Sequence, residues 1–365
     1  MKSYNHLWEK FISEYNYYTA VDNATKHKRG QKRKYKAARY TRTHASELKD
    51  RYIYYASHFK NAYHKPKIIN DGIQRKQRQI LVPTMSEQVI HHMIVNVLQP
   101  IFMKSMYEHS YGSIPGRGPH KAKKVIERWI RNDKKSRYYL KLDIKKYFDS
   151  IPHDILKRKL SKLIHDERFL RVVFEVVDVT DVGIPIGFYT SQWIANWYLT
   201  ELDHYIKEAL KARRYVRRYV RYMDDMVIIG PNKRELHQMK IKIEEYLRNE
   251  LGLELKENWQ VVKLDYQNRG RDLDFMGFRF FRDKTTLRRS IWYKAGRKAR
   301  RISNKGMTIH SARQMLSYLG WLKATDTMDA YRRHIMPYVS FRTLRRYVSR
   351  WDKSHYRRNK YVSMV

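Results

Sequence analysis

Apolar residues recur at helical spacing in some stretches of the chain and alternate with polar ones in others. Ser86 to Phe102 has helical spacing and is dense enough in apolar residues to predict a buried helix. Tyr138-Tyr139-Leu140-Lys141-Leu142-Asp143-Ile144 predicts a strand that ends at Asp143. Ile155, Leu156, Leu160, Leu163 and Ile164 form a helical stripe. Ser191 to Leu210 predicts one long helix, with Ile194, Trp197, Tyr198, Leu202, Tyr205 and Ile206 on its apolar side. Two β-rich runs follow, Tyr215–Tyr222 and Met226–Ile229, and Asp224-Asp225 between them predicts a hairpin with acids at its turn. Asn232 is placed to cap a helix carrying Leu236, Met239, Ile243, Tyr246 and Leu247, which should stop near Gly252. The alternation predicts an α+β fold, a small antiparallel sheet backed by helices. Beyond about residue 290 the pattern is mostly helical.

Charge changes this picture. The 365 residues hold 77 Lys and Arg against 36 Asp and Glu, a net +41. Residues 1–65 carry +10 and residues 290–365 carry +15. A hydrophobic fraction of 42% and an aromatic fraction of 14% argue against a disordered basic chain. No apolar run approaches the roughly 20 residues of a membrane helix, so no membrane partner is expected. The Met1–His6 segment lacks the apolar core of a signal peptide, and the absence of Cys removes disulfides and thiolate chemistry. A cytoplasmic location is expected. Such a charge calls for a polyanion, and the 30 Tyr and 8 Trp that accompany it suit stacking on unpaired bases. Lys32, Arg33 and Lys34 belong to an acid-free stretch from Asn23 to Ser46. Arg297, Lys298, Arg300 and Arg301 lie beside Trp292 and Tyr293. These two clusters are the expected RNA and DNA contacts, with solvated helix faces as the alternative.

The acids best placed for chemistry lie between the basic ends. Asp143 at a strand end and Asp224-Asp225 at a hairpin tip would repel one another if brought together. Either Lys and Arg neutralise them or hard divalent cations do, Mg²⁺ or Mn²⁺ being suited to oxygen ligands. Two such ions about 3.5–4 Å apart activate a hydroxyl and stabilise a leaving pyrophosphate. The plain alternative for Asp-Asp is a polar turn.

The surrounding residues make a resemblance specific. Arg221-Tyr222-Met223-Asp224-Asp225-Met226-Val227-Ile228-Ile229 resembles the third palm motif of reverse transcriptases. Leu142-Asp143-Ile144-Lys145-Lys146-Tyr147-Phe148-Asp149-Ser150-Ile151 resembles the first, and Asp274-Phe275-Met276-Gly277-Phe278 the primer-grip hairpin. Gln79-Ile80-Leu81-Val82-Pro83 is similar to the fingers of bacterial group II intron-like enzymes. The motifs occur in family order over roughly residues 60–290. Gly183-Ile184-Pro185-Ile186-Gly187-Phe188-Tyr189-Thr190-Ser191-Gln192 carries Ile186-Gly187 where most of the family has Gln-Gly. With Leu7-Trp8-Glu9-Lys10 and Gln88-Val89-Ile90-His91-His92, this variant resembles the enzymes of diversity-generating retroelements.

The resemblance implies a right-hand polymerase fold with fingers, a palm holding the small sheet, and a helical thumb. It implies a basic N-terminal extension over 1–65, fingers over 66–135, palm over 136–290 and basic thumb over 291–365. It makes Asp143, Asp224 and Asp225 catalytic, and places two Mg²⁺ or Mn²⁺ ions on them and on the Ile144 carbonyl. Phe148 matches the aromatic steric gate against ribonucleotides. Ile186, Gly187, Ser191 and Gln192 would approach the incoming nucleotide, and Gly187 would let backbone come close to it. Ser191 alternatively caps its helix. Lys256 matches a Lys that protonates leaving pyrophosphate. Phe275, Met276 and Gly277 would form the primer grip. Ile114 stands where related enzymes carry an Arg for the triphosphate, so Lys76, Arg78 or Arg117 would serve instead. The implied partners are template RNA, RNA/DNA duplex, deoxynucleoside triphosphates and a small basic accessory protein. Three roles stay open: error-prone cDNA synthesis in a diversity-generating retroelement, phage defence or another host role, and RNA binding on a non-catalytic polymerase fold. His91-His92 suggests metal binding only weakly, since adjacent helical residues face different ways.

Overall fold

A computed structural model describes residues 3–26, 28, 35–62, 64–71, 76–131, 133–211, 218–266 and 271–362. Lys32, Arg33 and Lys34, and the side chain of Lys76, lie outside the described residues. The chain forms two compact units. One comprises Met1–Gly118, Leu140–Ile228 and Lys233–Val261; the other comprises Pro119–Tyr139, Ile229–Asn232 and Val262–Val365. Among the described residues no helix is long and apolar enough to cross a membrane.

The first unit is organised by the helix Met85–Ser105, the predicted buried segment. Its start is fixed by a capping box: the Thr84 hydroxyl accepts from the Glu87 N–H, and the Glu87 carboxylate accepts from the Thr84 N–H at 2.7 Å. Val89, Ile90, Met93, Ile94, Val95 and Leu98 are fully buried, and the helices Glu14–Thr25 and Tyr189–Tyr198 pack against it. A hairpin of β1 (Lys67–Asp71) and β2 (Lys76–Ile80) pairs antiparallel with Lys67 opposite Ile80.

The central sheet contains β3 (Tyr138–Asp143), β4 (Arg218–Tyr222), β5 (Asp225–Gly230) and β6 (Gln260–Lys263) in the order β4-β5-β3-β6. The apolar residues expected in β3 and β5 are in its core: Leu140, Leu142, Val227, Ile228 and Ile229 are at most 1% exposed. Because β5 lies beside β3, the hairpin turn and the end of β3 belong to neighbouring strands. The helix Lys233–Leu251 follows β5 and ends at Gly252, as its stripe predicts. The segment expected as one helix from Ser191 to Leu210 is two, Tyr189–Tyr198 and Thr200–Lys211. The break falls at Leu199, where ψ turns to 2° and helical geometry lapses.

In the second unit, β7 (Leu273–Phe275), β8 (Phe278–Phe280) and β9 (Thr285–Leu287) form an antiparallel meander. Met276 and Gly277 join β7 to β8 with φ of 53° and 86°, the left-handed pair of a tight hairpin turn. Phe278 packs on Trp321 and His120 at ring separations of 5.0 and 5.7 Å. The remaining chain is helical, as predicted: Arg289–Lys305, Ile309–Lys323, Met328–His334 and Phe341–Val362. The expected α+β class is observed.

Candidate active site

Asp143 ends β3, and Asp224 sits in the turn between β4 and β5. Met223 in that turn has φ 57°, a left-handed conformation that a Met rarely adopts. Burial first, then the charges of Asp143 and Asp225, push the Asp224 carboxyl up from 3.8 to about 6; the nearby Lys256 pulls the other way. The acids are therefore near enough for their charges to interact. One Asp143 oxygen, Oδ2, accepts from Lys256 Nζ at 2.5 Å. The other, Oδ1, is buried without a hydrogen-bond partner.

Of the two expected ways to neutralise the acids, a cationic side chain is thus present at one oxygen. A second unpartnered carboxylate oxygen and a crowded neighbour remain. Ile144 pairs with Leu255, flanked by Lys145 N–H to Glu254 O at 2.8 Å and Lys256 N–H to Asp143 O at 2.8 Å. This is the pair type whose own N–H and C=O point away from the partner strand. The Ile144 carbonyl is therefore turned away from Leu255. Two carboxylates and a carbonyl are hard oxygen donors that fit Mg²⁺ or Mn²⁺. Among the described residues, no three His, Cys, Asp or Glu side chains are grouped closely enough to hold an ion. Asp225 thus adds charge without joining a three-carboxylate cluster.

Beneath the turn lies an ion pair that sequence reading missed. Arg221 and Asp203 are both 0% exposed. The guanidinium clasps the carboxylate with Nε to Oδ1 at 2.7 Å and NH2 to Oδ2 at 2.6 Å. Its NH1 donates to the Met223 carbonyl at 3.0 Å, so the same cation holds the turn that carries Asp224. Arg221 NH2 also reaches the Asn196 carbonyl at 3.1 Å, and Asn196 Nδ2 donates to the Gly112 carbonyl at 2.7 Å. Tyr219 donates its hydroxyl to Asp203 at 2.7 Å. The signal available in the sequence was Asp203 itself, an acid beside Leu202 and Ile206 in an apolar stripe.

Phe148 is half-buried, whereas its neighbour Tyr147 is the core aromatic, donating to the Ala195 carbonyl at 2.5 Å. Gly187 has φ 116°, and a Cβ there would lie 2.2 Å from the Leu81 carbonyl oxygen. The backbone packed against Gly187 is that of Leu81, whose N–H bonds the Ile186 carbonyl at 2.9 Å. Ile186 lines a cavity of about 660 Å³ with Gln79, Leu81, His64 and Asp149. Ser191 does not cap its helix: it is the third helical residue, and its hydroxyl is buried without a partner. Gln192 is exposed.

Arg117 turns NH1 onto the Tyr107 and Ser110 carbonyls at 2.5 and 3.3 Å, holding its own loop, while Arg78 is exposed. His91 and His92 turn to separate neighbours. Burial lowers them to about 3 and about 4, His91 packing on Phe188 and His92 on Tyr189. In the second unit, Phe275 is buried and Met276 and Gly277 form the turn described above. Arg297, Arg300 and Arg301 are exposed on the helix Arg289–Lys305, whose Ala295, Ala299 and Ile302 are buried. Lys298 donates to Gln314.

The fold has a solved counterpart in apo telomerase from Candida tropicalis. The TM-score is 0.52 at 14% identity, over 84% of this chain and 64% of that one. Residues 63–280 match the family described as reverse transcriptase (RNA-dependent DNA polymerase), and the chain belongs to it. Protein YkfC of Escherichia coli K12 is 24% identical over 250 residues, 58% of this chain and 65% of YkfC. The group II intron-encoded protein LtrA of Lactococcus lactis subsp. cremoris is 28% identical over 209 residues, 54% of this chain and 32% of LtrA. The chain thus spans less than two thirds of either relative.

Proposed function

We infer that the protein synthesises DNA on an RNA template, extending a primer with deoxynucleoside triphosphates. The observation that carries this is the acid pair at the ends of the two inner strands: an unpartnered Asp143 oxygen and an Asp224 whose ionisation is held back by burial and by its neighbours' charges. Asp143, Asp224 and the Ile144 carbonyl are the ligands assigned to two divalent ions, with Asp225 contributing charge. Bound there, Mg²⁺ or Mn²⁺ supplies positive charge for an attacking 3′-hydroxyl and a leaving pyrophosphate. Lys256, which donates to Asp143 Oδ2, is the residue assigned to protonate the leaving pyrophosphate.

Arg78 and Lys76 are the residues assigned to the triphosphate, Ile186 and Gln192 to the nucleotide's surroundings, and the Phe275–Gly277 hairpin to the primer. Arg297, Arg300 and Arg301 are assigned to nucleic-acid phosphates. The biological setting that fits Ile186-Gly187 is a diversity-generating retroelement in the cytoplasm of a bacterium or phage host, with a small basic accessory protein. Primer extension on a defined RNA template, with Mg²⁺ or Mn²⁺, tests the activity; no extension under either metal would overturn it. Sequencing the cDNA from wild type and Ile186→Gln tests the retroelement reading, which an accurate wild type would remove.

Half-burial of Phe148 supports its place as the sugar gate. Phe148→Ala is expected to accept ribonucleotides at least tenfold more readily relative to deoxynucleotides, about 1.4 kcal/mol of lost discrimination. Single-nucleotide incorporation with each triphosphate measures this, and an unchanged ratio would return Phe148 to packing.

A further inference from the structure

The chain ends two of its N-terminal helices in the same way. Lys36–Thr43 closes through Tyr40 and His44, and Ala45–Ser57 closes through Tyr54 and His58. In each, the Tyr and the His four residues on are stacked: 4.2 Å and 24° for Tyr40–His44, 4.3 Å and 28° for Tyr54–His58. In each, the His backbone N–H reaches the Tyr carbonyl, at 3.0 and 3.1 Å. The His Nδ1 reaches the same carbonyl at 3.0 and 3.1 Å. A hydroxyl one residue before the His completes the cluster, Thr43 at 2.8 Å and Ser57 at 2.9 Å from Nδ1. The repeat is thus Tyr-x-x-(Thr/Ser)-His, fourteen residues apart.

These bonds fix both His rings, and the Tyr rings stacked on them stay in solvent: Tyr40 is 54% exposed and Tyr54 67%. Tyr40, Tyr54 and His58 line one groove of about 550 Å³ with Arg51, Tyr52 and Tyr55. Among the described residues no acid lines that groove, and Arg51 is exposed.

We propose that this groove binds unpaired bases of single-stranded RNA, which stack on the Tyr40–His44 and Tyr54–His58 pairs while Arg51 meets a phosphate. Tyr rings stacked on hydrogen-bonded His rings lose less freedom when a base arrives, so stacking there is partly preorganised. Aromatic faces accept any base, and duplex RNA offers them none, so the groove selects for strandedness rather than sequence. The chain's net +41 and the acid-free lining match a polyanion rather than a neutral apolar peptide. The proposal rests on the RNA-templated reading for its partner and adds a site remote in sequence from Asp143 and Asp224.

The test is a titration of the full chain with a labelled single-stranded RNA and with a duplex of equal length, over a range of salt. Tyr40→Ala/Tyr54→Ala should bind the single strand roughly ten- to hundredfold more weakly, on a per-base scale for stacking, with its salt slope unchanged. Tyr40→Phe/Tyr54→Phe keeps the ring faces and should bind like wild type. Arg51→Ala should lower the slope by about 0.7, one single-strand phosphate contact. Equal single-strand affinity in a folded Ala double variant, or an equal loss on duplex, would overturn the proposal and make the groove a protein-binding face. A wild type that extends nothing sinks the polymerase reading, while the RNA titration still decides the groove.

Discussion

Asp224→Asn is expected to abolish primer extension and at the same time to raise the melting temperature of the metal-free protein. The two effects have one cause. In the folded chain the Asp224 carboxyl is half-buried and feels the charges of Asp143 and Asp225, which together lift it from 3.8 to about 6. A carboxyl raised on folding binds protons more readily in the native state. Its ionisation therefore costs stability, progressively as pH rises from about 4 to about 6 and constantly above that. The full shift is worth roughly 3 kcal/mol at neutral pH. Asn carries no charge at any pH and should recover part of it, a gain of several degrees in EDTA. Between pH 4 and 6 the wild type should close the gap, because protonation does for Asp224 what the substitution does permanently.

Mg²⁺ should stabilise the wild type by mass action and do so much less for the variant. Thermal melts at pH 5 and 7.5, with and without Mg²⁺, read all three effects. A variant that melts lower than wild type in EDTA at neutral pH would show that Asp224 is not under electrostatic strain. The metal assignment would then lose its main support.

What could be read from the sequence was whatever depends on local pattern. The β3 strand ending at Asp143, the hairpin with Asp224 at its turn and the helix stopping at Gly252 each follow from spacing and turn chemistry over a few residues. Pairings across long separations could not be read. Lys256 lies 113 residues from Asp143, and nothing in the surrounding letters shows that one neutralises the other. Arg221 is one of 77 basic residues, and no spacing marks it as the one that is fully buried against Asp203. The break at Leu199 has no Pro or Gly to announce it. The Tyr-x-x-(Thr/Ser)-His repeat is visible as letters, yet it acquires meaning only because each copy falls at a helix end, where a His ring can turn back to the last carbonyls.

Removing Arg221 should cost more stability than any exposed substitution in the chain, and its repair should separate folding from catalysis. Arg221→Met leaves Asp203 ionised, 0% exposed and stripped of its cation, a change worth about 3–5 kcal/mol. Burial works against the charge on Arg221, but the Asp203 carboxylate outweighs it and holds the guanidinium above its ordinary range. The guanidinium thus stays charged at every accessible pH. Replacing both partners removes the stranded charge, so Arg221→Met/Asp203→Leu should recover most of the loss. Tyr219 would then keep a buried hydroxyl without its acceptor, a further cost of about 1–3 kcal/mol that Tyr219→Phe removes. The triple variant should therefore approach wild-type stability in urea. It should still polymerise poorly, with kcat lowered far more than KM for the nucleotide is raised. Met223 holds a left-handed φ of 57°, and Arg221 NH1 is the donor on its carbonyl. Without that bond the turn relaxes and Asp224 loses its fixed orientation toward Asp143. Arg221→Lys is the informative control, because it keeps the charge but cannot span both Asp203 oxygens and the Met223 carbonyl at once. Near-normal kcat in the stable triple variant would mean that the turn is set by β4 and β5 alone, with the ion pair serving only the core.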